Sequence, residues 1–219
     1  MNSQKTIVSI IVPTRNQQKY IGRCLRSLIA QKFDNQSFEI IVINDCSRDN
    51  TRVVLNAFSE DIKILENKKK LGLAASLNKG INSSKGQFIV RVDSDDYVNE
   101  DFIGILHKFL IHNKAYNAAA CDYYLVDENE KIISREDCIR NPIGCGIMFR
   151  QEALIEIGLY DSKLILHEEK ELMSRFLKKN KIIRIEVPLY RYRRHESNIT
   201  NNKIRFNKLL KKLNKKINA

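Results

Sequence analysis

Short apolar runs alternate with stretches of helical periodicity through the first half of the chain. Runs rich in Val, Ile and Phe that end at a polar or turn-forming residue predict buried strands. Between these runs, apolar side chains recur every three or four positions, which predicts one buried face of a helix. The predicted strands are 7–13, 38–43, 62–65 and 88–92, and the predicted helices include 21–29, 73–83 and 102–111.

This alternation of strands and helices predicts an α/β fold with a mostly parallel central sheet and helices on both of its faces. Asn16 is expected to cap the first helix. In such sheets, ligands bind beyond the carboxyl ends of the strands. Polar and acidic residues collect after three of these ends, in the segments Pro13-Thr14-Arg15-Asn16, Asn44-Asp45 and Asp93-Ser94-Asp95-Asp96.

The second half of the chain has a less regular pattern. It predicts a hairpin over 118–126 and 131–134, a strand over 144–149, and helices over 151–157 and 168–177. Two further strands, 182–187 and 189–192, are expected on either side of Pro188. Neither an internal repeat nor a Gly/Ser linker divides the sequence, so we predict one domain over 1–200.

Residues 201–219 form a separate unit in this prediction, a basic amphipathic helix at the C-terminus. One side would carry an apolar stripe and the other a row of lysines. We expect the helix either to lie on an anionic membrane surface or to pack its stripe on the domain or on a second subunit. The stripe consists of Phe206, Leu209, Leu210, Leu213 and Ile217.

The net charge of +12 indicates an anionic partner, such as nucleic acid, a membrane surface or a phosphorylated small molecule. Seven Lys and Arg residues and no acid fall within 201–219, so this excess need not describe the main site. The five cysteines lack C-x-x-C spacing, which argues against a disulfide framework or a zinc site. Without a signal peptide or about 20 consecutive apolar residues, we expect a cytoplasmic protein, with the inner membrane face as a candidate contact.

The segment 93–96 contains the strongest candidate chemistry. Three carboxylates within four residues repel one another, and a hard divalent cation such as Mg²⁺ or Mn²⁺ offsets that repulsion. Pyrophosphate oxygens are natural partners for such a cation. An acidic turn that is simply solvated remains the alternative for this motif taken alone.

Six segments in a fixed order resemble the family 2 glycosyltransferases, which have the A-type nucleotide-sugar fold. A single D-x-D motif is weak evidence, but six ordered segments are specific. The resemblance extends over about residues 7–200 and includes a counterpart, at 167–175, of the family's E-D-x-x-L-x-x-R motif. The matching segments are 8–16, 42–51, 71–80, 86–96, 167–175 and 188–195.

This resemblance implies a nucleotide-sugar pocket at the carboxyl edge of the sheet. The carboxylate at position 45 would accept a hydrogen bond from the imide of uracil or thymine. UDP is taken as the default donor nucleotide, with dTDP and GDP left open. The residues implied to bind the nucleotide sugar are Pro13, Thr14, Arg15, Asn16, Asp45, Gly72, Asn78, Asp93 and Ser94.

The resemblance also implies a divalent metal, Mn²⁺ or Mg²⁺, held by Asp95 with Asp93 and His195. The expected catalytic base is Glu169, and Glu168 is the alternative. The family usually has Asp where this chain has Glu169, which is one methylene longer, so the choice between the two glutamates stays open. Acidic residues also favour a helix N-terminus without any catalytic role.

We therefore predict a metal-dependent, inverting glycosyltransferase of the hexosyltransferase type. It would move a sugar from a nucleotide diphosphate onto a glycan or lipid-linked acceptor in cell-surface glycan or polysaccharide synthesis. One alternative is a sugar nucleotidyltransferase, but such enzymes carry a glycine-rich loop where this chain has residues 13–16. The other is a non-catalytic module that binds nucleic acid or membrane. Carboxylates at three strand ends would repel phosphates, so nucleic acid is not an expected partner.

Overall fold

The computed structural model describes residues 5–35, 37–196, 198, 201 and 203–217. Strands and helices alternate through the first part, as predicted. The elements in chain order are β1 (Val8–Thr14), α1 (Ile21–Ile29), β2 (Phe38–Asn44), α2 (Thr51–Asn56), β3 (Lys63–Glu66), α3 (Leu73–Asn82), β4 (Phe88–Arg91), β5 (Tyr97–Val98), α4 (Phe102–His112), β6 (Ala118–Val126), β7 (Ile132–Glu136), β8 (Ile147–Arg150), α5 (Gln151–Glu156), α6 (Glu168–Phe176), β9 (Ile182–Arg193) and α7 (Lys203–Ile217).

The nine strands of the described chain form one sheet in the order β3-β2-β1-β4-β8-β6-β9-β5, and β7 pairs with β6 beside β8. The pairs β1–β2, β1–β4, β2–β3 and β6–β9 are parallel. Strands β8, β7 and β5 run against their neighbours. Six strands therefore point the same way, which confirms the predicted α/β fold with a mostly parallel sheet.

Strand β1 lies between β2 and β4, and every one of its residues is buried. It pairs with β2 up to Thr14 opposite Asn44, and with β4 up to Ile11 opposite Arg91. Since parallel strands end at the same edge, the polar segments that follow β1, β2 and β4 meet there. The sheet register thus brings these three polar segments to one edge of the sheet, as the sequence pattern predicted.

Helix α1 has the bounds and the amphipathic pattern predicted from the sequence, but its predicted cap differs. Its apolar face is fully buried, as in Ile21 and Leu28. The prediction that Asn16 caps this helix is wrong, because the helix begins at Ile21 and Tyr20 precedes it. Asn16 instead has a left-handed backbone with φ of 52°, and its side-chain oxygen accepts a hydrogen bond from the backbone N–H of Arg48.

Two differences from prediction occur where local patterns are weak. The two-residue strand β5 was not predicted, since a pair of residues carries no periodicity. The two strands expected around Pro188 are one continuous strand, β9. Its register against β6 shifts near Asp122, which pairs with Pro188. A proline lacks an N–H, so a bulge of this kind lets the strand continue through it.

Helix α7 packs against α6, with Leu213 buried and Ile204 85% exposed. The predicted stripe therefore contacts the domain at least at Leu213. The side chains of Phe206 and Ile217 fall outside what the structure describes. Among the helices of the described chain, none combines the length and the apolar character needed to cross a bilayer.

Candidate nucleotide-sugar and metal site

The three carboxylates of the segment after β4 have three different partners. Asp93 accepts hydrogen bonds from Arg91 with both oxygens, at 2.7 and 3.0 Å. Asp95 meets the ring of His195 at 2.9 Å. Asp96, only 2% exposed, accepts from the hydroxyl of Tyr190 and from the backbone N–H of Arg193. Their mutual repulsion is reduced because each carboxylate has donors of its own.

Burial raises the pKa of Asp93 and Asp96, whereas their hydrogen-bond donors lower it. It raises the pKa of Asp96 well above the ordinary value, and the neighbouring carboxylates of Asp95 and Asp93 raise it further. Burial also raises the pKa of Asp93, although the guanidinium of Arg91 opposes that shift. A cation bound nearby would favour the ionised form of both acids.

The pair formed by Asp95 and His195 has the chemistry of a metal site. A carboxylate oxygen and an imidazole nitrogen both suit a divalent cation such as Mn²⁺. The ring of Tyr20 packs against the His195 ring, at 4.7 Å between centroids. Its backbone N–H donates to Asn198, which fixes the end of β9. His195, but not Asp95, lines a groove of about 380 Å³ that also contains Glu128.

A second group of ligand-type atoms, from Asp93, Asp96 and Cys145, lies within 4.8 Å of one another. Both oxygens of Asp93 are bound to Arg91, and both oxygens of Asp96 already accept hydrogen bonds. Burial also raises the pKa of the Cys145 thiol well above its usual range, which disfavours the thiolate that binds metals. The donors bound to Asp93 and Asp96 would therefore have to be displaced before this group could hold a cation.

The two candidate bases occupy the first turn of α6 and differ in environment. Glu168 is 3% exposed, and its Oε1 accepts a hydrogen bond of 2.9 Å from Arg91. Glu169 is half-buried, and within the described residues its carboxylate has no ion pair with a basic side chain. Burial and the charge of Glu168 raise the pKa of Glu169. A neighbouring pair with such different environments is typical of two carboxylates with separate roles.

The candidate nucleotide side is formed by the loops after β1 and β2. Pro13 and Thr14 are buried at the end of β1. Arg15 donates to the backbone oxygen of Asp45, and the backbone N–H of Asn16 donates to Ser47. These bonds join the two loops at the carboxyl edge of the sheet.

Asp45 holds the loop that leads into α3. Its carboxylate accepts from the backbone N–H groups of Leu71 and Gly72, at 2.7 and 2.9 Å, and from the side chain of Asn67 at 2.9 Å. Gly72 has φ of 91°, a conformation that disfavours residues with a Cβ. Three of the roughly four acceptor positions of this carboxylate are thus used within the protein.

The remaining predicted residues have less direct positions. The side chain of Asn78 makes two hydrogen bonds with the backbone of Tyr160. It donates to the carbonyl oxygen at 2.8 Å and accepts from the N–H at 3.0 Å. It thereby attaches α3 to the segment before α6. Ser94 is 4% exposed within the acidic segment.

The buried hydroxyl of Thr14 stands out in this region. Thr14 is 3% exposed, and its Oγ1 has no hydrogen-bond partner among the residues that the structure describes. A buried hydroxyl without a partner is costly, so such a group commonly faces a ligand. It lies at the strand end where a nucleotide is expected.

Sequence reasoning missed four residues that build the site: Arg91, Tyr190, Arg193 and Asn67. For Arg91 a signal was present, namely a charge inside an apolar strand that is otherwise buried. Buried arginines need acidic partners, and three acids follow it closely. Tyr190 and Arg193 gave no such signal, because only the pairing of β9 brings them to the acidic segment.

A larger cleft, of about 780 Å³, lies elsewhere on the molecule. It is lined by residues such as Ile7, Gln87 and Phe88, at the amino ends of β1 and β4. The polar strand ends lie at the opposite edge. Size alone therefore does not identify the functional site here.

The family model for glycosyl transferase family 2 matches residues 9–162, and the chain belongs to this family. GlyA of Streptococcus pneumoniae is 36% identical over 125 residues, which is 56% of this chain and 18% of that protein. GlyG of the same organism is 28% identical over 221 residues, covering 88% of this chain and 72% of GlyG. Both relatives are named glycosyltransferases.

Two solved structures share the fold. TarS 1–349 of Staphylococcus aureus, in complex with UDP-GlcNAc, has a TM-score of 0.79 at 22% identity, over 90% of this chain and 61% of that one. Mannosyltransferase PcManGT of Pyrobaculum calidifontis, in complex with GDP-Man and Mn²⁺, has a TM-score of 0.76 at 17% identity, over 95% and 63%. The chain thus spans less than two thirds of the structures it resembles, and a still smaller part of GlyA.

Proposed function

We propose that this chain is a metal-dependent, inverting glycosyltransferase that moves a sugar from a nucleotide diphosphate to an acceptor hydroxyl. The observation that carries the proposal is the pair of ion pairs from Arg91, one to Asp93 and one to Glu168. They bring the acidic segment after β4 and the glutamates of α6 to the same edge of the sheet. An in-line displacement needs donor-binding and proton-accepting groups around one reacting carbon. Membership of glycosyl transferase family 2 supports the same chemistry.

For the donor, we favour a UDP-sugar. Asp45 keeps about one acceptor position beyond its three bonds within the protein, which suffices for the imide N–H of uracil. The hydroxyl of Thr14 supplies a further polar contact at the same edge. The TarS structure contains UDP-GlcNAc and the mannosyltransferase structure contains GDP-Man, so both nucleotides belong in a test.

Asp95 and His195 are the residues that would hold a divalent cation. A cation there would supply Lewis-acid stabilisation to the departing nucleoside diphosphate. Glu169 would accept the proton of the acceptor hydroxyl, because its carboxylate is not committed to an ion pair and its pKa is raised. Glu168 would keep its ion pair with Arg91.

For the acceptor, we propose a cell-surface glycan or a lipid-linked precursor. The support is the relationship to TarS, which is named a poly(ribitol-phosphate) β-N-acetylglucosaminyltransferase. The lysines of 201–219 would bring the enzyme to an anionic membrane surface, and Lys208 and Lys211 are exposed on α7. The burial of Leu213 allows this, since the lysines and the buried stripe face different surroundings.

A thermal-shift screen of UDP-, dTDP- and GDP-sugars, with and without Mn²⁺, tests the proposal. We expect one nucleotide class to raise the melting temperature only when Mn²⁺ is present, and the same donor to release its nucleotide on hydrolysis or transfer. Unchanged melting with every nucleotide, together with tight binding of single- or double-stranded nucleic acid, would instead support a non-catalytic binding module.

A further inference from the structure

Arg91 is a buried cation with two acidic partners on different parts of the chain. Its side chain is 8% exposed at the end of β4. Nε and Nη2 bind Asp93 at 2.7 and 3.0 Å, and Nη1 binds Glu168 at 2.9 Å. Both edges of the planar guanidinium are therefore used, one for each carboxylate.

The surroundings of this guanidinium leave it little freedom. A Cβ added to Gly144 would lie 2.7 Å from Nη1 of Arg91 and 3.1 Å from Cβ of Glu169. The backbone at Gly144 therefore packs directly between the arginine and the candidate base. A side chain at this position would have to displace the guanidinium of Arg91, so the loop before β8 helps to fix its position.

We propose that Arg91 is a positioning residue that couples the donor-binding segment to the catalytic base. Through Glu168 it fixes the first turn of α6, so that Glu169 points to the reacting hydroxyl while Asp93 is held on the donor side. This inference rests on the proposed function, because it assigns Glu169 the proton transfer. Arg91 itself touches neither substrate nor transferred proton in this scheme.

An arginine suits this role better than a lysine. A lysine would keep the positive charge, but its single ammonium cannot bind one carboxylate with two parallel bonds and a second carboxylate along another edge. We therefore expect Arg91→Lys to retain part of the function and Arg91→Gln to lose most of it. A role limited to charge balance would predict nearly full activity for Arg91→Lys.

The charges around Glu169 predict how its pKa changes when Arg91 or Glu168 is replaced. Glu168 raises the pKa of Glu169, whereas Arg91 from β4 and His167 from the preceding position lower it. Loss of Arg91 removes a cation, so the base would deprotonate at higher pH. Loss of the negative charge in Glu168→Gln would act in the opposite direction.

The experiment compares wild type, Arg91→Lys, Arg91→Gln, Glu168→Gln and a control, Arg184→Gln. Arg184 also binds a buried carboxylate with two bonds, to Asp122, so its loss tests a purely structural arginine. For each protein, kcat, KM for donor and acceptor, melting temperature and the pH profile of kcat are measured.

We expect Arg91→Gln to lower kcat about 100-fold, the usual effect of a displacement near 1 Å, and Arg91→Lys to recover about tenfold of that loss. The acidic limb of the pH profile of kcat should move to higher pH in Arg91→Gln and to lower pH in Glu168→Gln. Arg184→Gln should change melting temperature but not the limb. If Arg91→Gln does not fold, Gly144→Ala displaces the guanidinium without removing it and should lower kcat similarly.

An active wild type whose Arg91 and Gly144 variants keep its kcat and pH profile would overturn this inference alone. Activity losses that follow the loss of folded protein, with unshifted limbs, would also overturn it. A wild type that neither transfers nor hydrolyses any nucleotide sugar would overturn the proposed function as well.

Discussion

The imidazole Nε2 of His195 lies 2.9 Å from Oδ2 of Asp95, although 100 positions separate the two residues. The pairing of β9 with β5 brings the end of β9 to the acidic segment. The backbone N–H of Arg193 then donates to Asp96, and its side chain donates to the backbone oxygen of Asp95. The proposed metal ligands are thus brought together by the pairing of β9 and by the hydrogen bonds of Arg193.

Asp95→Asn should lower transfer by about 100-fold or more, because one oxygen ligand and one negative charge are lost from the proposed cation site. Asparagine has nearly the same shape, so the melting temperature in metal-free buffer should remain close to that of wild type. The increase in melting temperature on adding Mn²⁺ with nucleotide should disappear. Asp61→Asn, on an exposed loop before β3, is the matched control and should behave as wild type. Full wild-type activity without metal would refute the mechanism.

Glu169→Gln should lower kcat by about 10²–10⁴-fold, the usual range for a general base, while donor binding is retained. The wild-type rate should rise with pH through the pKa of Glu169, because only the ionised form accepts a proton. Since burial and Glu168 raise that pKa, the acidic limb should lie above the pH at which an ordinary glutamate titrates. Kinetics between pH 4 and 9 measure both effects.

The exposed acid Glu60 provides the control for this substitution, and Glu60→Gln should leave kcat and the limb unchanged. If Glu168→Gln rather than Glu169→Gln abolishes turnover with normal folding, the assignment of the base is reversed.

Thr14→Val should weaken nucleotide binding about three- to tenfold without lowering stability. The Oγ1 of Thr14 makes no hydrogen bond within the described chain, so replacing it with a methyl group of similar size leaves no protein partner unpaired. The matched variant Thr51→Val should lower stability and leave nucleotide binding unchanged. Oγ1 of Thr51 accepts from the backbone N–H of Gln17 at 2.8 Å and donates to Asp49 at 2.6 Å.

For Thr51→Val we expect a loss of about 1–2 kcal/mol in the free energy of unfolding, roughly the net contribution of two hydrogen bonds to half-buried partners. Chemical denaturation and calorimetric titration with UDP measure the two quantities. A Thr14→Val protein that is clearly less stable, yet binds nucleotide normally, would show that the hydroxyl serves the fold.

Replacing Lys208 and Lys211 of α7 by glutamine should weaken binding to phosphatidylserine vesicles about 30-fold. Each lysine near an anionic surface contributes about 1 kcal/mol. The matched control replaces Lys108 and Lys114, which are also exposed but lie on or just after α4. Vesicle co-sedimentation at low and physiological salt measures binding. Equal binding by both double variants would exclude a specific role for α7.

Much of the fold follows from local patterns in the sequence. Continuous apolar runs identify the buried strands β1, β2 and β4. Apolar residues at every third or fourth position identify the buried face of α1. The polar ends of these strands were predicted to meet, and parallel pairing in register makes them do so. The role of Asn16 was not visible, because its side chain binds the distant backbone N–H of Arg48 instead of capping α1.

The sequence by itself determined the α/β alternation, the family resemblance and the acidic segment that follows β4, because these depend on neighbouring residues and on period. Only the tertiary structure decided which acid meets which partner. Asp93 and Glu168 are joined by one guanidinium, Asp95 meets His195, and Asp96 binds Tyr190. The physical reason is that ion pairs and hydrogen bonds in a buried site depend on distance and direction between remote strands, and sheet order sets both.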